Sequence, residues 1–376
     1  MMKKVLLTAT VQSHICQFHK PLVKMLHENG YEVHVAAKDN LAEKNGLKLD
    51  FADKVFDVPF SRSPKSADNI KAYKQLKKII ADEGYDVIHC NTPMGGIVTR
   101  LAAIKARKSG TKVFYTAHGF HFYKGASKLN WLIYYPIEKW MAKYTDKLIT
   151  ICNEDYQTAK NKQFNSEICY IHGVGADSAR YMPATDEEKQ ALRAQLAVPQ
   201  DAFVFLCTGE LNENKNQKTV INAFAKAVRV CPNMMLLLAG NGPKEAALRE
   251  QIAALGLEEK VKLLGYQTRL EQYVKLSDVV VSASYREGLG LNLIEAMLCQ
   301  KPVLAADNRG HRDLVQQGVN GFLIPADAAL AFADKMQMFY QDAQRCAEFG
   351  GAGCTYAQQF TDAYVMGDLK KIYNLA

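Results

Sequence analysis

Two glutamates flank a glycine turn in the segment Ser282-Ala-Ser-Tyr-Arg-Glu287-Gly288-Leu289-Gly290-Leu291-Asn-Leu-Ile-Glu295-Ala-Met297. The segment follows an apolar run that reads as a β-strand and ends in a stretch with helical apolar spacing. Gly288 and Gly290 allow the turn's amides to approach a ligand closely. The free N–H groups of the new helix point at the same place, which suits a diphosphate. Glu295 lies about one and a half turns into the helix, where a carboxylate can accept hydrogen bonds from both hydroxyls of a ribose. Glu287 stays in the loop, nearer a reacting sugar. A glycine turn after a strand also arises from tight packing alone, and the paired glutamates weigh toward a ligand.

A second segment, Gly209-Glu-Leu-Asn-Glu-Asn-Lys215-Asn216-Gln217, joins the strand-like run 203–208 to the helix-like run 219–230. A lysine there can reach a departing diphosphate as a point charge, although loop lysines are commonly just solvated. Ala239-Gly240-Asn-Gly242-Pro243 is a further strand-end turn, open to ligand approach or to plain turning. Thr116-Ala-His118-Gly119 follows the run Val113–Tyr115, which places His118 at a strand end. There it can meet a sugar hydroxyl, carry a proton, or serve as a structural hydrogen-bonding residue. Ser13 and His14, in the turn after the first strand, are weaker candidates of the same kind.

The elements that must carry these residues alternate. Short β-branched runs at 5–7, 33–36, 87–90, 113–116 and 147–152 are separated by stretches with helical spacing, such as Ile70, Tyr73, Leu76, Ile79 and Ile80. After a polar, proline-bearing stretch near 176–202, six more runs follow at 204–208, 235–239, 261–264, 279–282, 303–306 and 322–324. Alternation of this kind implies βαβ units and parallel sheets. The expected fold is α/β, with two Rossmann-like doubly wound domains, residues 1–175 and 176–355. From about 327 the chain reads as helical, and residues 356–376 are expected to form a helix crossing back to the first domain. Ligands of open parallel sheets bind beyond the carboxyl ends of the strands, so chemistry is expected in a cleft between the two sheets.

Composition limits the rest. The chain has 376 residues, 48% of them hydrophobic and 23% charged, which excludes disordered, collagen-like and coiled-coil chains. Nine scattered cysteines without a C-x-x-C pair suggest reduced thiols rather than disulfides or a zinc site. No apolar stretch approaches the roughly 18–20 residues that span a bilayer, and the opening Met-Met-Lys-Lys-Val-Leu-Leu reads as a first strand rather than a signal peptide. Residues 1–175 carry a net charge of +10 and residues 176–376 a net of −2. This asymmetry admits nucleic acid, anionic lipid or phosphorylated substrates as partners. No G-x-G-x-x-G follows the first strand, which disfavours a dinucleotide oxidoreductase.

The block Glu287-Gly-Leu-Gly-Leu-x-x-x-Glu295-Ala-Met, with Gly209-x-Leu-x-x-x-Lys215-Asn216, Ala239-Gly-x-Gly242 and His172-Gly-Val-Gly-Ala-Asp177, closely resembles the retaining glycosyltransferases of family 4, which have the GT-B fold. The stretches 116–123 and 130–140 resemble a bacterial branch that builds capsular or exopolysaccharide units on a lipid carrier. The resemblance implies that Glu295 binds the donor ribose and Glu287 the sugar hydroxyls. The diphosphate would lie on Gly288, Leu289, Gly290 and Leu291, with Lys215 neutralising the leaving group and His118 touching the donor sugar. Gly209, Asn216, Gly240, Gly242 and Tyr266 complete the implied donor-binding set, and Ser13 and His14 the acceptor side. It further implies a UDP-sugar donor, a polyprenyl-diphosphate-linked saccharide acceptor, no metal and no cofactor. The glutamates are therefore not the acid and nucleophile of a hydrolase.

Two departures stand out. Glu210 occupies a position where many relatives have arginine, so either Lys215 acts alone, a cation such as Arg286 or Arg309 replaces the missing one, or activity is weak. The first turn also lacks the Gly-Gly pair of many relatives. Residues 120–147 carry eight aromatics among Lys124, Lys128, Lys139, Lys143 and Lys147, a mixture suited to an anionic membrane surface. Alternatively, Trp131, Tyr135 and Trp140 are core contacts of a helix kinked at Pro136. The expected location is cytoplasmic and peripheral on the inner face of the plasma membrane, with no role for nucleic acid. A UDP-sugar 2-epimerase and a non-catalytic sugar-nucleotide-binding partner remain the alternatives.

Overall fold

The computed structural model of the chain describes residues 2–43 and 46–375. They divide into two compact units, Met1–Gly175 with Asp362–Ala376, and Ala176–Thr361. The first unit holds strands β1 (Lys3–Val11), β2 (Tyr31–Lys38), β3 (Lys54–Asp57), β4 (Val87–Asn91), β5 (Lys112–Ala117), β6 (Lys147–Thr150) and β7 (Glu167–Tyr170). The second holds β8 (Phe203–Thr208), β9 (Met234–Ala239), β10 (Val261–Gly265), β11 (Val279–Ser282), β12 (Val303–Ala306) and β13 (Gly321–Ile324).

Every named strand pair is parallel, and the orders are β3-β2-β1-β4-β5-β6-β7 and β10-β9-β8-β11-β12-β13. Both are doubly wound sheets whose order reverses at the first strand, between β1 and β4 and between β8 and β11. The continuous apolar runs have a direct cause. In β8, Val204 and Leu206 enter one hydrophobic cluster, while Phe205 and Cys207 enter another on the opposite face. A sheet covered on both faces needs apolar residues at every position. The two strands that the sequence pattern missed, β3 and β7, lie at the outer edges of the first sheet. Their sequences, KVFD and EICY, are largely exposed or half-buried, so they lack the apolar signature.

The stretch near 176–202 is not all connection, for it contains the helix Asp186–Gln195. The last helix, Asp362–Tyr373, groups with the first unit. It is tied there by the Tyr373 hydroxyl against His89 Nδ1 at 2.7 Å, His172 Nδ1 against Asp368 at 3.0 Å, and Lys147 Nζ donating to the Ile372 carbonyl at 2.8 Å. None of the nine cysteines forms a disulfide. Among the described residues no helix is long and apolar enough to cross a membrane.

Candidate functional site

In the second unit, the loops after β8 and β11 meet at the reversal of strand order, where two neighbouring loops diverge to opposite faces of the sheet and leave a crevice. Lys215 Nζ donates to Glu287 Oε1 at 2.7 Å, joining the two loops by an ion pair that is mostly buried on both sides. Gly209 has φ of +135° and Gly240 φ of +147°. A Cβ on Gly240 would collide with the Gly209 carbonyl, and one on Gly209 would lie 3.1 Å from Lys215 Cε. The glycines thus let two strand-end turns stack and let the lysine stem lie across them. Gly242 is similar, since its Cβ would fall 2.5 Å from the Leu211 carbonyl oxygen.

The helix Leu291–Leu298 begins at Gly290, and its Leu293, Ile294, Ala296 and Met297 are buried. Leu289 and Leu291 are half-buried against the same cluster, which fixes the turn between Glu287 and the helix. His311 lies beneath that turn. Its Nδ1 is 2.7 Å from the Ala306 carbonyl and its Nε2 3.5 Å from Ser282 Oγ. A Cβ on Gly290 would sit 2.9 Å from the His311 ring. Asn308 caps the short helix 309–312 through its Oδ1, which accepts from the His311 amide at 3.1 Å, while its Nδ2 donates to the Ser284 carbonyl at 2.8 Å. Arg309 is 3% exposed and directs Nε and Nη2 at the Glu287 carbonyl, at 3.4 Å each. It therefore adds a cation beside Glu287, whereas Arg286 is exposed. Glu210 accepts from Asn212 Nδ2 at 2.9 Å.

Glu295 lies half-buried against Tyr181, with Arg180 and Glu271 nearby. Burial pushes its carboxyl up from the usual range to about 7, against the opposing pull of the Tyr181 hydroxyl and Arg180. Asn216 is 6% exposed, and both ends of its side chain are engaged. Nδ2 donates to the Ala283 and Ala326 carbonyls at 3.3 and 3.0 Å, and Oδ1 accepts from Thr219 Oγ1 at 3.0 Å. It holds the loop rather than presenting a free amide. Tyr266 is 51% exposed just beyond β10.

In the first unit, the reversal between β1 and β4 gathers a different chemistry. His118, at the end of β5, places Nε2 at 3.1 Å from Asn91 Oδ1 and 3.3 Å from His14 Nε2. Burial holds the His118 imidazole down at about 4, and it lowers His14 and His19 too, with mutual repulsion adding to both. Ser13 is engaged by Asn40, which accepts from the Ser13 amide at 3.1 Å and donates to its hydroxyl at 2.9 Å. Thr92, which follows β4, has φ of +63°. For a β-branched residue this is strained, and its hydroxyl accepts from the Thr10 amide at 3.0 Å.

The helix Lys128–Met141 is anchored by a buried pair. Arg100 Nη2 donates to Glu138 Oε2 at 3.0 Å, and the Arg100 guanidinium carbon lies 3.9 Å from the Tyr115 ring centre. Trp131 and Tyr135 pack inward against Phe122. Of the three aromatics weighed as core contacts, only Trp140 is turned out. It shares the exposed side with Leu129, Leu132, Ile133 and Ile137.

Comparison with known proteins decides the family. Residues 188–354 match the family model "Glycosyl transferases group 1", and residues 4–152 match "Glycosyl transferase 4-like". The chain is 42% identical over 375 residues to "Putative glycosyltransferase EpsD" of Bacillus subtilis, covering 100% of this chain and 97% of that one. The chain belongs to this glycosyltransferase family. It is also 28% identical over 294 residues to the Escherichia coli "UDP-Gal:alpha-D-GlcNAc-diphosphoundecaprenol alpha-1,3-galactosyltransferase", covering 76% of this chain and 75% of that one. Among solved structures, Anabaena Alr3699/HepE in complex with UDP superposes with a TM-score of 0.79 at 23% identity, over 99% of this chain and 100% of that one. The two Rossmann-like domains are those of the GT-B glycosyltransferase fold.

The sequence pattern did not single out His311, Asn308, His19, Asn91 or Thr92. Asn91, Thr92 and Asn308 lie at or just after strand ends, and that placement was the available signal, while His311 sits in the short helix 309–312 that Asn308 caps. His19 lies between two helices, and nothing in the pattern marks it.

Proposed function

We propose that this glycosyltransferase moves a sugar from a UDP-sugar to a saccharide carried on a polyprenyl diphosphate, with retention of anomeric configuration, in exopolysaccharide or capsule synthesis. The observation that carries the reading is the meeting of Lys215, Glu287 and Arg309 with the Gly288–Leu291 turn at the β8/β11 reversal. Two cations and a helix start form a preorganised anion site, so negative charge growing on the leaving diphosphate meets fixed positive potential. The Escherichia coli relative is named for a UDP-sugar donor and a diphosphoundecaprenol acceptor, and the Anabaena structure contains UDP, which supports both halves of the reading.

On binding, the diphosphate takes Lys215 from Glu287, freeing that carboxylate to accept from sugar hydroxyls. Glu295 accepts from the ribose. The acceptor attacks from the face that the diphosphate leaves. Transfer draws its positive charge from side chains and amides and calls on no metal ion. His118 with its Asn91 partner is the first domain's candidate for the sugar.

The exposed Leu129, Leu132, Ile133, Ile137 and Trp140, flanked by Lys128, Lys139 and Lys143, support docking on an anionic membrane surface where a lipid-linked acceptor resides.

The test is incubation with a panel of UDP-hexoses and UDP-N-acetylhexosamines, with and without a polyprenyl-diphosphate-linked saccharide, followed by analysis of the product linkage. Acceptor-dependent formation of a glycoside with the donor's anomeric configuration is expected. Product from UDP-GlcNAc alone, with inversion at C2, would make the protein an epimerase. UDP binding without any turnover would make it a binding partner.

A further inference from the structure

The three imidazoles beside β1 and β5 do more than the transfer reading asks of them. His14, His19 and His118 each offer a ring nitrogen, and these nitrogens lie within 4.8 Å of one another. His14 Nε2 and His118 Nε2 are 3.3 Å apart. Two nitrogens held by one zinc ion at about 2.0–2.1 Å in a tetrahedron are separated by about 3.3–3.4 Å. The pair already stands at that spacing.

His19 supplies the independent observation. It is 6% exposed, and its Nε2 is buried without a hydrogen-bond partner. Buried polar nitrogens are ordinarily satisfied, so an unpartnered one on a ring packed beside two other imidazoles points to something that binds there. A cavity of about 20 Å³ borders His19 and His118, room for one water molecule or one ion. The fourth nearby imidazole, His89, is already engaged at both nitrogens, by the Tyr373 hydroxyl and by Thr116 Oγ1, each at 2.7 Å. An all-nitrogen donor set selects zinc, copper or nickel over magnesium and calcium, which prefer oxygen.

We propose that His14, His19 and His118 form a site for one borderline transition-metal ion, zinc above all, with the fourth position open to water. The ion binds neutral imidazoles. When Nε2 takes the metal, His118 gives up its bond to Asn91 Oδ1 and carries its proton on Nδ1 instead. This goes beyond the transfer mechanism, which needs no metal. It also opposes that mechanism wherever His118 serves the sugar, because ion and sugar then compete for the same nitrogen and zinc becomes an inhibitor.

The test uses the full chain stripped with EDTA and dialysed free of it. Zinc chloride is titrated calorimetrically and cobalt chloride by visible absorption. One equivalent of each is expected to bind, the cobalt spectrum showing low-symmetry d–d bands without thiolate charge transfer. Binding is expected to weaken at least tenfold in His19→Gln and, separately, in His14→Gln. Thermal melting and UDP titration of the same variants show whether each has folded, and UDP binding by His19→Gln is expected to match the parent. UDP binding that fails in the parent would count against the transferase reading alone. No saturable equivalent, a sulfur-to-cobalt band, or unchanged affinity in both folded variants would overturn the metal site.

Discussion

The two domains share one plan and fill it with different side chains. Each is a parallel sheet whose strand order reverses at its first strand, and each gathers candidate side chains near the carboxyl ends around that reversal. In the second domain the gathered groups are ionic: Lys215, Glu287 and Arg309 around a glycine turn. In the first they are uncharged: His14, His19 and His118 with Asn91, Thr10 and Thr92. Ionic groups at a helix start suit a diphosphate. Buried neutral imidazoles and hydroxyls suit sugar hydroxyls or a borderline transition-metal ion. The fold sets where chemistry happens, and the residue types at the strand ends set which chemistry it is.

The contrast is broken most severely at Lys215. Lys215→Ala removes the point charge on the leaving group, and the transfer rate is expected to fall by about 10²–10³-fold while the melting temperature stays within a few degrees, as read by steady-state turnover and calorimetry. Equal turnover in this variant would mean that Arg309 and the turn amides suffice.

Glu295 sharpens the contrast through pH. Glu295→Ala is expected to weaken UDP by roughly 10- to 100-fold, the scale of losing charge-assisted hydrogen bonds. Because burial raises its carboxyl to about 7, the folded protein holds a proton that the unfolded chain has released, so ionising this group costs stability as pH rises from the usual carboxylate range toward 7. On the proposed ribose role, the ionised form is the one that accepts both hydroxyls. UDP affinity is therefore expected to rise as pH rises through about 7, by up to about tenfold per unit below it, and Glu295→Gln should flatten the profile. An unchanged slope in that variant would assign the proton elsewhere.

For the first domain, Leu132→Glu with Ile137→Glu places carboxylates on the exposed helix face. Sedimentation with vesicles containing anionic lipid is expected to drop about tenfold, with UDP binding unaltered. Equal sedimentation would remove the helix from the membrane account. The smallest effect is expected at Gly310, where an added Cβ would lie 2.9 Å from the Leu289 backbone. Gly310→Ala should cost about 1–3 kcal/mol in thermal unfolding, with a modest loss of UDP affinity as the turn shifts.

Much of this was legible because it is local. The four inner strands of the second sheet are buried on both faces and mostly apolar, so Val279-Val-Val-Ser282 and its companions announce themselves. Strands β3 and β7 do not, because an edge strand can stay polar. The loops bearing Lys215 and Glu287 follow such strands directly, so their meeting at one crevice follows from topology. Contacts between distant positions were not legible. His311 lies under Gly290, twenty-one positions away in sequence, and His14 reaches His118 across more than a hundred. Only the folded sheet brings those pairs together. The inward turn of Trp131 and Tyr135, with Trp140 outward, likewise depends on where Arg100 pins Glu138. The buried engagement of Asn216 and of Ser13 was hidden for the same reason, since their partners Ala326 and Asn40 lie far along the chain.

The most direct test of the central claim, that the β8/β11 reversal is a sugar-nucleotide site charged by the protein itself, is a calorimetric titration of the full chain with UDP in the presence of EDTA. Saturable binding of one equivalent, lost or greatly weakened in Lys215→Ala and Glu295→Ala, is the predicted result. Absence of binding by the folded parent protein, or binding indifferent to both substitutions, would contradict it.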